Sequence, residues 1–197
     1  MSKINTESMK KIAIFASGSG TNAENIVTYF KGNSEVSIPL LICNKPEACV
    51  LERARRLGIP SAILTGPEMK DEARVMQLLQ DYRIDFIVLA GYLVRIPSYL
   101  ISAFPNAIVN IHPSLLPLHG GKGMYGDRVH EDVIRCGEKE SGITIHYVNE
   151  ELDSGAVIFQ AKCPVLPGDT PHTLAARVHE LEYAHYPHVI AETIAEL

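Results

Sequence analysis

The sequence predicts an α/β fold: a mostly parallel central sheet of about seven strands flanked by helices, with an antiparallel strand near the C-terminus. Three observations carry this reading. From Lys10 onward, short apolar runs rich in β-branched residues alternate with amphipathic stretches of helical length. The first run opens through a loop of small residues into a helix. Polar residues then gather where a later buried run ends, which is where open parallel sheets build their sites.

Lys11 to Ala16 (KIAIFA) is the first strand, Ser17 to Asn22 (SGSGTN) the loop, and Ala23 to Phe30 the first helix. Ser37 to Cys43 is the second strand. Pro46 suits a helix start, Ala48 to Leu57 the helix and Gly58 its stop, before Ile59 to Leu64 as a third strand. Glu72 to Tyr82 reads as a helix and Ile84 to Ala90 (IDFIVLA) as a fourth strand, completing two βαβ units. A short helix, Ser98 to Ala103, leads to Ala107 to Ile111 (AIVNI), a fifth strand that ends at His112, Pro113 and Ser114. Leu118 to Gly126 (LHGGKGMYG) is too rich in glycine for regular structure and is a candidate lid. Val129 to Arg135 resumes as helix, and Ile143 to Val148 alternates as a strand. After the turn-rich Asn149 to Gly155, Val157 to Val165 returns antiparallel. Asp169 or Thr170 caps a final helix from about Thr173 towards Glu196, with Pro187 expected to bend or interrupt it.

A chain of 197 residues, 46% hydrophobic and 21% charged, can bury one core, so a single domain over residues 10–197 is expected. A net charge of -5 speaks against a broad basic face, so no nucleic-acid partner is expected. No apolar run approaches the roughly 20 residues of a membrane span, so no membrane partner is expected. Residues 1–9 are polar and lack the apolar segment of a secretory signal. They read as a disordered lead-in to a cytoplasmic protein. Cys43, Cys49, Cys136 and Cys163 form no C-x-x-C pair and have no closely placed His, so four buried or half-buried free thiols and no metal are expected.

Gly18 to Ala23 fits G-x-G-x-x-A between a strand and a helix, so backbone amides there can hold a phosphate. The second strand ends in Cys43-Asn44-Lys45 and offers no acidic residue for the ribose of NAD, although Lys45 leaves an NADP-binding module as an alternative. The glycines could also serve only a tight turn. In Asn110-Ile111-His112-Pro113-Ser114-Leu115-Leu116-Pro117, strand alternation puts Asn110 and His112 on one face. An imidazole can pass protons near neutral pH, and a carboxamide can donate to an oxygen that turns negative, a pairing suited to acyl transfer. Asp153, in the turn Leu152-Asp153-Ser154-Gly155, would favour the imidazolium form of His112 if it faced that residue. An Asp in such a turn is otherwise structural. His185 and His188 lie three apart on the last helix but lack a third metal ligand, and no G-x-S-x-G elbow is present.

SGSGTN, NIHPSLLP and ELDSG together closely resemble the folate-dependent formyltransferases, over a span from about Lys10 to the final helix. The resemblance implies a Rossmann-like fold and 10-formyltetrahydrofolate as co-substrate. The match is nearest to members that formylate the amine of glycinamide ribonucleotide in purine synthesis. It implies that Asn110, His112 and Asp153 form a catalytic trio, that Gly20, Thr21 and Asn22 hold the substrate phosphate, and that His179, Glu180, Leu181 and above all Glu182 meet its amine and ribose end. It further implies a folate pocket from Leu93, Val94, Arg95, Ile96 and Asn110, closed by Asn149, Glu150, Glu151, Leu152 and Asp153. Similar proteins carry an Arg where this chain has Lys70, Asp71 and Glu72, and the glycine-rich Leu118 to Gly126 is unusual. A 10-formyltetrahydrofolate hydrolase is a further alternative. Similar hydrolases have an extra N-terminal domain, and transfer to methionyl-tRNA calls for a C-terminal RNA-binding domain, for both of which the chain is short. A monomer or homodimer is expected.

Overall fold

The computed structural model describes residues 9–197. The lead-in expected over residues 1–9 falls outside this range except for the exposed Met9. In chain order the elements are β1 (Lys10–Ala16), α1 (Thr21–Tyr29), β2 (Val36–Cys43), α2 (Cys49–Leu57), β3 (Ser61–Ile63), α3 (Glu72–Asp81), β4 (Phe86–Leu89), α4 (Ser98–Ala103), β5 (Ile108–His112), α5 (Asp127–Arg135), β6 (Glu140–Tyr147), β7 (Val157–Pro164) and α6 (Pro171–Ala195).

The strands form one sheet in the order β3-β2-β1-β4-β5-β6-β7. Pairing is parallel from β3 to β5 and antiparallel for β5 with β6 and for β6 with β7, so the antiparallel character begins one strand earlier than the sequence suggests. Because side chains alternate along a strand, β1 feeds two separate cores. Ile12, Ile14 and Ala16 pack with Ile26, Val50, Val133, Leu174 and Tyr186 under α1, α2, α5 and α6. Ala13 and Phe15 pack with Met69, Val75, Leu79 and Leu100 under α3 and α4 on the other face. The chain reverses its winding between β1 and β4, and there Ser17 joins the two exits: its N–H donates to the Gly91 carbonyl (3.1 Å) and its hydroxyl accepts from the Leu93 N–H (2.9 Å). Crevices at such switch points are the ligand sites of open α/β sheets.

Several boundaries differ from the sequence reading for identifiable reasons. Pro46 lies in a turn ahead of α2, whose N-cap is Ala48, so it does not open the helix. The third strand shrinks to Ser61–Ile63, because Gly58 in a left-handed conformation and Pro60 use the preceding residues to turn. A 3-10 turn at Glu68–Lys70, held by the Glu68 carboxylate on Thr65, had no signal in the hydrophobic pattern. Pro187 does not interrupt α6, which runs unbroken for 25 residues. A proline leaves the carbonyl four residues earlier without its helical donor. Here that carbonyl is Tyr183, and the Asn25 side chain donates to it at 2.9 Å. Two of the four thiols expected to be buried or half-buried, Cys49 and Cys136, are exposed, since they sit at the start and just past the end of surface helices.

Candidate active site

β5 delivers Asn110 and His112 to the carboxyl end of the sheet, and the antiparallel register sets His146 of β6 opposite Asn110 and Thr144 opposite His112. Thr144 is buried and braces the segment after the strand. Its hydroxyl donates to the Ser114 carbonyl (2.7 Å) and accepts from the Leu116 N–H (3.0 Å) and the Gln160 amide (2.9 Å).

His112 is 4% exposed. Its Nε2–H donates to the His119 carbonyl at 2.8 Å, because a carbonyl oxygen can only accept. Nδ1 therefore faces Asp153, with 3.6 Å between Nδ1 and Oδ2. Asp153 adopts a left-handed backbone (φ 54°), and its Oδ2 also accepts from the Gly121 N–H at 2.8 Å. One carboxylate thus touches both the imidazole and the glycine-rich segment. The other oxygen, Oδ1, lies 3.8 Å from His146 Nε2.

His146 is a site residue that the motifs did not reveal. Burial pushes its imidazole below the usual value, against the opposing pull of the Tyr147 carbonyl and Asp153, so it is neutral near pH 7. Its Nδ1–H donates to the Tyr147 carbonyl (2.9 Å), which leaves Nε2 as an acceptor for the Asn110 amide at 3.2 Å. One N–H of the carboxamide is thereby held, and the other is free to act on a substrate oxygen. The available signal was strand pairing, since alternation along β6 points His146 to the side where Asn110 lies.

All ten residues expected around the folate line a single cleft: Leu93, Val94, Arg95, Ile96, Asn110, Asn149, Glu150, Glu151, Leu152 and Asp153. Leu89, Tyr92, His146 and Val148 complete it. The Arg95 guanidinium bridges its two walls by donating to the Glu150 carbonyl. His112 does not itself line the cleft but faces Asp153, which does.

Gly20 caps α1 with φ 77° and no side-chain cap, so the first N–H groups of the helix are left for a ligand. A Cβ there would stand 2.3 Å from Val50 Cγ2, which accounts for the glycine. Asn22 and the buried Glu182 meet across the molecule, the Asn22 amide donating to Glu182 Oε2 at 2.9 Å, and His179 Nδ1 approaches the same oxygen at 2.7 Å. The structure therefore joins the glycine loop to the α6 stretch. Glu180 and Leu181 take no part in these contacts. The Glu182 hydrogen bond raises the His179 imidazole above its usual value, outweighing burial. A raised histidine adds stability that is fully present below about pH 6.5 and is lost as pH rises through the raised value. Glu182→Gln is therefore expected to cost more stability at about pH 5.5 than at about pH 8.5, as read by urea unfolding. Equal costs at the two pH values would exclude this linkage.

The departure noted near Lys70, Asp71 and Glu72 has a local account: Asp71 caps α3 through the Arg74 N–H, and Arg74 pairs with Glu68. Neither contact reaches the cleft residues.

Compared with known proteins, residues 10–190 match the family described as formyl transferase. The phosphoribosylglycinamide formyltransferase of Bacillus subtilis is 40% identical over 191 residues, covering 94% of this chain and 95% of that protein. The chloroplastic phosphoribosylglycinamide formyltransferase of Arabidopsis thaliana is 42% identical over 198 residues, and the match spans 95% of this chain but 66% of that protein. The crystal structure of glycinamide ribonucleotide transformylase 1 from Geobacillus kaustophilus superposes with a TM-score of 0.85 at 40% identity, covering 93% of this chain and 97% of that one. With the match running through nearly every element described above, the chain belongs to the formyl transferase family.

Proposed function

We propose that the chain transfers the formyl group of 10-formyltetrahydrofolate to the amine of glycinamide ribonucleotide, giving the N-formyl product and tetrahydrofolate in purine synthesis. It does so as one domain over residues 10–197, in the cytoplasm, as a monomer or homodimer. The observation that carries this reading is the meeting of Asn110, His112 and Asp153 beside a cleft, in a chain whose relatives bear the phosphoribosylglycinamide formyltransferase name.

The amine nitrogen attacks the formyl carbon, and the carbonyl electron pair moves to oxygen. The free N–H of Asn110 donates to that oxygen. His112 exchanges a proton through Nδ1, the nitrogen that the His119 carbonyl leaves available and that Asp153 faces. The tetrahedral species collapses as the bond from carbon to the folate N10 breaks. N10 takes up a proton, and the amine loses one. The ten cleft residues receive the pterin end, where an apolar slot with exposed backbone groups suits a flat ring. Gly20, Thr21 and Asn22 hold the phosphate, and Glu182, with His179, receives the amine and ribose.

Incubation with both substrates, following the folate product by absorbance, tests the assignment. Product that forms only with the amine present is the expected result. Folate turnover without the amine would indicate the hydrolase instead, and NADP binding without turnover would indicate a dinucleotide module; the relatives, which bear the phosphoribosylglycinamide formyltransferase name, favour neither. Asp153→Asn is expected to change the pH–rate profile as well as the rate, and an unaltered profile would remove Asp153 from its role.

A further inference from the structure

His119 lies in the glycine-rich segment and has a left-handed backbone (φ 56°). Its side chain is 9% exposed and packs on α5, where Nδ1 stands 2.6 Å from Asp132 Oδ2. The other ring nitrogen, Nε2, is buried without a hydrogen-bond partner among the described residues. It faces Glu138 Oε1 at 3.6 Å, too far for a hydrogen bond. Asp132 and Cys136 are four residues apart, at the end of α5 and just past it, and so lie on one side of the helix. The ligating atoms of His119, Asp132 and Cys136 all lie within 4.8 Å of one another.

We propose that His119, Asp132 and Cys136 bind one zinc-type dication, a site separate from the Asn110, His112 and Asp153 group. An imidazole nitrogen, a carboxylate oxygen and a thiolate sulfur form a borderline-soft donor set that suits zinc or cobalt and not magnesium or calcium. Ligand atoms sharing a tetrahedral cation at about 2.0–2.1 Å stand about 3.3 Å apart, so Nδ1 and Oδ2 need to open by less than about 1 Å. In the metal-free protein, the hydrogen bond between them holds the two donors together. When the cation takes Nδ1, the ring proton sits on Nε2, and Glu138, 3.6 Å away, is the carboxylate that closes in to receive it, as is usual for a metal-bound histidine. That arrangement gives the unpartnered Nε2 a function. Arg135 pairs with Oδ1 of Asp132 and leaves Oδ2 for the metal. Cys136 is exposed, so a cation can enter from solvent. The site would also fix the backbone of His119, whose carbonyl receives the Nε2–H of His112.

The test is a titration of metal-stripped protein with Co²⁺, followed by competition with Zn²⁺. The expected result is one ion per chain, with a thiolate-to-cobalt charge-transfer band and tetrahedral ligand-field absorption. Cys136→Ser is expected to abolish that band and to weaken Zn²⁺ binding at least about tenfold, and His119→Gln to weaken it similarly. Cys49→Ser, which alters the other exposed thiol, is expected to leave both signals unchanged. Circular dichroism confirms that each variant is folded, and the exposed Cys136 makes its substitution structurally mild. Failure of the wild-type protein to take up a stoichiometric ion, or binding that Cys136→Ser and His119→Gln leave intact, overturns the proposal. The readout needs no substrate, so it stands or falls independently of the formyl-transfer assignment.

Discussion

Replacing His112 by alanine is expected to lower turnover by about 10²–10⁴-fold, the range of a lost general acid–base group. The imidazole is the one titratable ring in the trio, and its neighbours fix both of its nitrogens: Nε2 on the His119 carbonyl and Nδ1 towards Asp153. Removing it leaves Asn110 to polarise the formyl oxygen but leaves nothing to move a proton between the two nitrogens. Folate affinity should change little, because His112 does not line the cleft. The loss should therefore fall on kcat, with KM for the folate near its original value. Pairing His112→Ala with Asp153→Asn should add little further loss, since Asp153 acts through the ring. Steady-state kinetics with both substrates checks all three statements. Near-normal turnover in His112→Ala would remove the residue from the chemistry.

Gly155→Ala is expected to destabilise the protein by about 3 kcal/mol, a drop of about 6–12 °C in Tm, and to reduce activity with it. A Cβ at Gly155 would stand 1.7 Å from the Tyr147 carbonyl oxygen and 2.7 Å from its carbon. Both are backbone atoms, so no rotamer change relieves the overlap. The Tyr147 N–H donates to the Ala156 carbonyl at 3.0 Å, so the start of the β6–β7 connection must separate. Asp153 lies two residues from the substitution and moves with it. Gly66→Ala is the comparison: among the described residues nothing lies within 4 Å of its Cβ position, and a change within about 0.5 kcal/mol is expected. Thermal unfolding of both variants decides the matter; equal melting temperatures would mean that the close approach is not maintained in solution.

The fold was legible where hydrophobic pattern and strand length agree. The runs KIAIFA and SIPLLIC lie within strands and AIVNI is offset from one by a single residue, and the placing of Asn110 and His112 on one face followed from alternation alone. What stayed hidden depends on contacts between distant residues. No local rule foretells that α6 passes through Pro187, because the donor that replaces the lost bond is Asn25, at the other end of the chain. His146 could not be picked out without knowing which strand lies beside β5. The proximity of His119 to Asp132 and Cys136 was invisible for the same reason: loop residues have no periodicity to show where they fold back. The exposure of Cys49 and Cys136 escaped a reading that treats free thiols as small hydrophobes.

The carboxylate of Asp153 receives the Gly121 N–H while facing His112, and the next residues of that same segment hold the other side of the ring through the His119 carbonyl. Lifting the segment away would break both attachments together. Segment position and ring orientation are therefore linked variables, and thermodynamic reciprocity requires that each bias the other equally. A ligand that holds the segment down also steadies the ring, and a substitution that frees the ring also loosens the segment. The glycine-rich segment and the imidazole thus hold or lose their places as one unit.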